Sequence, residues 1–420
     1  MNKIRKNYNR IKSSKDGKTL LSNFGYLSIL QIASYIFPLF TLPYLARVIG
    51  VDSFGKIAFA SAIIVWFLTI VDWGFNYTAT RDVAQNREDK EKVSRIFSNV
   101  FWARIFLMVL AFIILLILIW SIPVFYENKT IILITYLSIP GYIMFPDWFF
   151  QALERMKYIT IMNLIAKTIF TIAVFIFIKE KSDYILQPVL VTLGSFVSGI
   201  ISIYIIFKKW GYSFYKPDLK EIRIAIKGSV DVFLNNIVPN LYNSFSIVLL
   251  GFYGGNTSNG KFDAGNKFIS IAQQFMNILS RTFYPFLSRR IDKHNLYVKI
   301  NLAIAIIIGI GLFIVAPIII KLFYTEEFYD GIDVLRILGL SIPFMALFNI
   351  YGVNYLIIQK KEKLLRNITI VCSLIGASLS FPLISYFDFI GAAFTILITR
   401  ILLGSSIMLY AKRLKSRVAI

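Results

Sequence analysis

The chain is short of the groups on which most enzymes and metalloproteins rely. Among 420 residues there is one cysteine and one histidine. A lone Cys372 excludes an intramolecular disulfide, and its apolar neighbours point to packing rather than chemistry. A lone His294 excludes a multi-histidine metal site. It lies in the charged run SRRIDKHN and is expected to be solvated. Charged residues are 16% of the chain, against ~25% in soluble domains. Acids are the scarcer sign, with 23 Asp+Glu against 45 Lys+Arg and a net charge of +22. No Walker A pattern is present, which argues against direct ATP drive. No D-x-D pair, long outer loop or nucleophile–histidine–carboxylate set is found, so a membrane polymerase, ligase or glycosyltransferase would lack its chemistry.

What the chain has in excess is apolar length. Hydrophobic residues make up 57%, and mean hydropathy is +0.67. By the ~20-residue criterion there are about 12 candidate spans. They run roughly 21–46, 57–78, 98–121, 131–151, 158–178, 185–207, 229–251, 263–286, 298–321, 333–358, 367–387 and 390–412. The expected fold is therefore an all-α polytopic membrane protein. About 32 of the 45 Lys+Arg fall in the tails and in alternate loops, about 7 in the other loops. The basic set belongs inside, so both termini are expected in the cytoplasm. This alternation accounts for the charge without a nucleic-acid partner. The basic segment 1–20 resembles a signal n-region, but the apolar stretch after it is too long and lacks a cleavage site, so an uncleaved tail is expected.

The two halves are related. GVDSFGK starts at Gly50 and GNTSNGK at Gly255, about 205 residues apart. LSIP occurs at Leu137–Pro140 and again at Leu340–Pro343, at nearly the same offset. The expected organisation is a basic tail 1–20, an N-lobe 21–207, a linker 208–228, a C-lobe 229–412 and a tail 413–420. Two pseudo-symmetric six-helix bundles enter the membrane the same way. In the linker, Pro217 and Asp218 open a short helix expected to lie at the inner membrane surface.

Polar residues inside apolar spans mark protein-facing or wet surfaces, because lipid leaves them unsatisfied. Asp72 and Asn76 are one turn apart. The seventh span carries Asp231, Asn235, Asn236, Asn240 and Asn243 at multiples of four. The eighth carries Gln273, Asn277 and Arg281. The internal offset maps Asp72 onto Asn277 and Asn76 onto Arg281. A central cavity lined by spans 1, 2, 7 and 8 follows, with Asp72 and Arg281 on opposite walls. Arg104, Asp147, Lys167 and Arg400 add further intramembrane charges. Arg104 suits an ion pair with Asp72 or Asp147. Cations outnumber acids here, and guanidinium groups suit phosphate. The candidate substrate-binding residues are Arg104, Lys167, Arg281, Arg400, Asn76, Gln273, Asn277, Asn235, Asn236 and Asn240. Pro38, Pro43 and Pro239 are placed to bend their helices.

The runs TLPYLARVIGVDSFGKIAFA, VDWGFNYTATRDVAQNRED and PDWFFQALERMKY resemble bacterial Wzx-type polysaccharide flippases of the MOP exporter superfamily. The resemblance is strongest over Leu20–Lys157 and looser in the second half. It implies two six-helix lobes in a V around a central cationic cavity, without a cofactor. The implied substrate is an undecaprenyl-pyrophosphate-linked oligosaccharide repeat unit (O-antigen or capsule), moved from the inner to the outer leaflet of the bacterial cytoplasmic membrane by alternating access. Ion-gradient coupling would fall to Asp72 or Asp147, and polysaccharide assembly proteins are candidate partners. Related lipid II flippases carry two further C-terminal helices, so that subgroup is not expected. A multidrug or metabolite exporter of the same superfamily stays open as an alternative, disfavoured by the cationic interior. A membrane polysaccharide polymerase or glycosyltransferase is the third reading.

Overall fold

A computed structural model describes residues 15–418. Among them every regular element is helical. The elements that position the candidate sites are α1 (Lys15–Asp72), α2 (Phe75–Gln85), α3 (Lys90–Ser121), α4 (Asp147–Ala152), α5 (Met156–Phe177), α6 (Leu219–Ile237), α7 (Ser244–Tyr253), α8 (Gly255–Arg289), α9 (His294–Phe323), α10 (Ile342–Leu347) and α11 (Glu362–Val418). α1 and α11 are each kinked by a left-handed residue, Gly50 and Asp388 respectively. By length and composition, 8 helical stretches among the described residues are apolar enough to cross a membrane. Those that carry the polar stripes, α6 to α8, are not among them.

The chain divides into two compact units. One comprises Met1–Tyr44 and Phe67–Leu234, the other Leu45–Trp66 and Asn235–Ile420. The second thus takes in the part of α1 around GVDSFGK.

Side-chain distribution follows a lipid solvent rather than water. On α9, Ile307, Ile314, Ile318 and Leu322 are exposed, while Tyr297, Asn301, Ala305, Gly309 and Ala316 are buried. Small residues let backbones approach, as lipid-embedded helices require. A Cβ at Gly309 would stand 2.9 Å from the Gly339 carbonyl oxygen.

The internal repeat is visible in the backbone. Gly50 (φ 73°) and Gly255 (φ 72°) both take the left-handed conformation before a helix. Glycine adopts it without the Cβ penalty. Five residues on, Gly55 and Gly260 make reciprocal close contacts inside the second unit. A Cβ at Gly55 would run into the Asn256 carbonyl, and one at Gly260 into the Val51 carbonyl. In the other repeated run, Ser138 Oγ donates to Thr135 O (2.7 Å) and Ser341 Oγ to Leu338 O (2.6 Å), each at a helix break.

The linker departs from expectation. α6 runs unbroken through the expected boundary at 228/229 and is docked on the first unit. The Trp73 ring stacks on Phe233 at 4.0 Å, and Trp73 Nε1 donates to Ile226 O at 2.9 Å. The Thr78 and Ser229 hydroxyls are 2.7 Å apart. Before α6, residues 213–218 run along α3 without regular structure of their own. Ser213 N–H donates to Ser94 Oγ (3.1 Å), Tyr215 N–H to Ser98 Oγ (3.0 Å) and Asp218 N–H to Asn99 Oδ1 (3.3 Å). The spacing works because two residues of near-extended chain rise ~6.6 Å and the four helical steps from Ser94 to Ser98 about 6 Å. Losing one such bond costs about 1 kcal/mol. The double change Ser94→Ala, Ser98→Ala is therefore expected to speed amide exchange at Ser213 and Tyr215 by about tenfold or more. Hydrogen-exchange mass spectrometry reads this directly; unchanged exchange there would mean that the hydroxyls do not hold the connector.

Candidate functional site

In the first unit the charges meet at the break between α1 and α2. Trp73 (φ 46°) and Gly74 (φ 80°) are both left-handed. Asp72 and Asn76 are thus not on one continuous helix, as their spacing suggested. They converge all the same. Arg104 Nη2, from α3, pairs with the Asp72 carboxylate and donates to Asn76 Oδ1 at 2.8 Å. Arg104 is 2% exposed and Asp72 14%. The guanidinium lies 5.9 Å from the ring of Trp148 on α4. Its Nε and Nη1 are buried without a protein partner. Asp147 Oδ1 accepts from Trp148 N–H at 2.8 Å and lies within electrostatic range of Arg104 and Asp72. Two carboxylates therefore share one buried cation. Lys167, on α5, stands apart, half-buried, with Nζ donating to Ser34 Oγ at 3.0 Å.

In the second unit Arg400 of α11 is 6% exposed. Nη1 donates to Ser341 Oγ (2.9 Å) and Nη2 to Gln273 Oε1 (3.1 Å). Both partners are neutral, and Arg400 has no ion pair among the described residues. It lines a cavity of about 230 Å³ with Gln273, Asn277, Asn243, Asn349, Thr369, Tyr242, Phe344 and Phe348. No acid is in that lining. Asn349 Nδ2 donates to Asn277 Oδ1 at 3.1 Å. A second cavity of about 220 Å³, in the first unit between α2, α3 and α6, is different in kind. Its one cation, Arg81, is already paired with Asp82 at 2.9 Å.

The remaining expected residues are dispersed. Arg281 is exposed on α8, one turn beyond Asn277, and does not line the Arg400 cavity. The polar stripe on the seventh span is interrupted. α6 ends at Ile237, residues 238–241 form a 3-10 turn around Pro239, and α7 starts at Ser244. Asn235 is exposed, Asn236 and Asn240 are half-buried, and none lines the cavity, whereas Asn243 does. His294 is not solvated. It is 0% exposed, with Nε2 at 3.0 Å from the Ile350 carbonyl, because three tyrosines surround the ring.

Sequence reasoning missed Ser341, Asn349, Asn354 and Thr369. Asn349 and Asn354 lie on a π-helical stretch, Phe348–Ile357. Its wider winding brings Asn354 Nδ2 to Asn349 O (3.1 Å), and on to Ser280 Oγ (2.7 Å) and Tyr297 Oη (2.9 Å). Two asparagines five apart in an apolar run were the available signal. Such π segments recur at functional sites. Among the described residues no group of three or more His, Cys, Asp or Glu is placed to hold a metal ion.

Comparison with known proteins places this arrangement. A putative O-antigen transporter of Escherichia coli (strain K12) is 29% identical over 406 residues, covering 94% of this chain and 98% of the relative. One from Shigella dysenteriae is 27% identical over 390 residues, with 91% and 97% covered. The fold is shared with the lipid II flippase MurJ in an inward closed conformation (TM-score 0.73, 18% identity, 91% of this chain and 87% of that one). It is shared as well with an inward-facing multidrug resistance MATE family transporter of the MOP superfamily (TM-score 0.69, 14% identity, 94% and 99% covered). The profile described as polysaccharide biosynthesis protein matches residues 20–291, more than half of the sequence. A polytopic helical membrane protein with two separate buried arginine sites and no assembled metal or triad chemistry among its described residues, this chain belongs to the polysaccharide biosynthesis protein family.

Proposed function

We propose that the protein carries a polyprenyl-pyrophosphate-linked oligosaccharide repeat unit from the inner to the outer leaflet of a bacterial cytoplasmic membrane by alternating access. The observation that carries the reading is Arg400. A buried cation without a counter-ion costs several kcal/mol, and the cost is recovered when an anion enters. A cavity lined by amides, hydroxyls and aromatic rings around one guanidinium suits an anionic, hydroxyl-rich guest and disfavours the cationic compounds of a drug exporter. The names of the two O-antigen transporters and of the lipid II flippase support a lipid-linked sugar as that guest.

Coupling falls to the first unit. Asp72 and Asp147 face one Arg104, so the cluster is one positive charge short. A proton or sodium ion entering there neutralises it, and a downhill ion gradient then drives the cycle. In proteoliposomes, flipping of a polyprenyl-pyrophosphoryl oligosaccharide is expected to rise with an imposed gradient. Arg400→Ala is expected to lower it about 10- to 100-fold, as loss of a charge-assisted contact of roughly 1.5–3 kcal/mol implies. Asp147→Asn is expected to keep residual flipping and abolish its gradient dependence. Absence of flipping by the well-inserted, unaltered protein would overturn the proposal, whereas full-rate flipping by Arg400→Ala protein would take Arg400 out of it.

A further inference from the structure

The Arg400 cavity has the wrong capacity for a whole repeat unit and the wrong charge for a pyrophosphate. At about 230 Å³ it falls below the ~300–1,000 Å³ of ordinary ligand pockets. At ~30 Å³ per water it holds about eight waters, the room of one sugar ring. A pyrophosphate joined at both ends carries a negative charge on each phosphate, and the lining supplies a single cation. A hexuronate carries one. Arg400 has Nη1 on Ser341 and Nη2 on Gln273, which locks the fork in place and leaves its other donors uncommitted. Asn277, Asn349 and Thr369 supply donors and acceptors for ring hydroxyls, and Phe344 and Phe348 an apolar surface for the C–H face.

We infer that this cavity is a subsite for a single carboxylate-bearing sugar residue of the transported unit. The guanidinium pairs with the carboxylate, and the neighbouring amides read the hydroxyls. The pyrophosphate end of the substrate binds elsewhere. This inference rests on the transport reading above, but its test does not need transport.

Saturation-transfer NMR on the full-length protein in lipid nanodiscs, with D-glucuronate, D-glucose, glucose 1-phosphate and pyrophosphate as probes, decides it. Glucuronate is expected to bind at least about tenfold more tightly than glucose, the equivalent of ~1.4 kcal/mol. Arg400→Ala is expected to erase that preference, and Arg400→Lys to keep part of it. If Arg400→Ala does not insert, competition on the unaltered protein gives the answer. Glucose 1-phosphate or pyrophosphate displacing glucuronate at equal concentration overturns the assignment, as does equal binding of glucose and glucuronate or no binding of either. Glucuronate binding without any flipping of lipid-linked sugars would instead overturn the transport reading and leave the subsite standing. Unimpaired flipping of an acidic repeat unit by Arg400→Ala would do the reverse.

Discussion

Arg104→Met is expected to destabilise the protein by about 3–5 kcal/mol, the usual result of removing one partner from a buried ion pair. The reason is the group left behind. Asp72 is largely buried, and Arg104 is its ion-pair partner. Without the guanidinium its carboxylate must take up a proton or draw in water. Asn76 loses the same donor, since Nη2 serves both residues. Adding Asp72→Asn removes the carboxylate in direct contact and leaves only Asp147 without its cation, so the double variant is expected to regain part of the loss. The coupling energy from the full cycle separates this pair from general packing damage. Reversible unfolding in mixed micelles gives the four values. Additive losses in the two single variants would mean that the pair contributes nothing beyond its volume. The double variant is also expected to insert normally and to lose the gradient dependence of flipping, which separates the pair's support of the fold from the coupling role proposed for it.

Gly55→Val is expected to cost about 3 kcal/mol, at the upper end for overpacked sites. Most core sites relax by turning a neighbouring side chain. At Gly55 the obstacle is backbone: the Asn256 carbonyl and the Gly260 nitrogen. Gly260 faces Val51 O in the same way, so Gly260→Val is expected to do similar harm. Gly25, which has open space around its Cβ position, supplies the control: Gly25→Ala is expected to be nearly neutral. The comparison is of folded yield and unfolding midpoint in one detergent. A neutral Gly55→Val would show that the two helices do not touch there in the membrane.

Much of the first unit's site is legible in the primary structure. An acid in an apolar span calls for a cation at like depth, and Arg104 was the nearest available. Burial cost alone demands the pairing, and the unforeseen break at Trp73 and Gly74 leaves it intact. The Arg400 cavity was half legible for the opposite reason. Gln273, Asn277 and Arg400 stand out as polar residues in apolar runs. Asn349 enters through a π-helical stretch, which shifts every later side chain out of the 3.6-residue phase on which face assignments depend. Ser341 does so at a helix break. The stripe from Asp231 to Asn243 failed likewise: the helix ends just before Pro239, so residues counted onto one face fall in one helix, a 3-10 turn and the cap of the next helix. His294 misled because a charged neighbourhood in sequence says little about a residue beneath three tyrosines in space.

The connector along α3 has a last consequence, for evolution as much as for mechanics. Surface loops ordinarily tolerate insertions. Here every second backbone amide from Ser213 to Tyr215 is matched to a hydroxyl one turn further along a rigid rod. One extra residue would put the two ladders out of step and point the amides at empty space. The length of this segment is therefore held like a reading frame, and homologues are expected to vary its side chains while keeping its residue count.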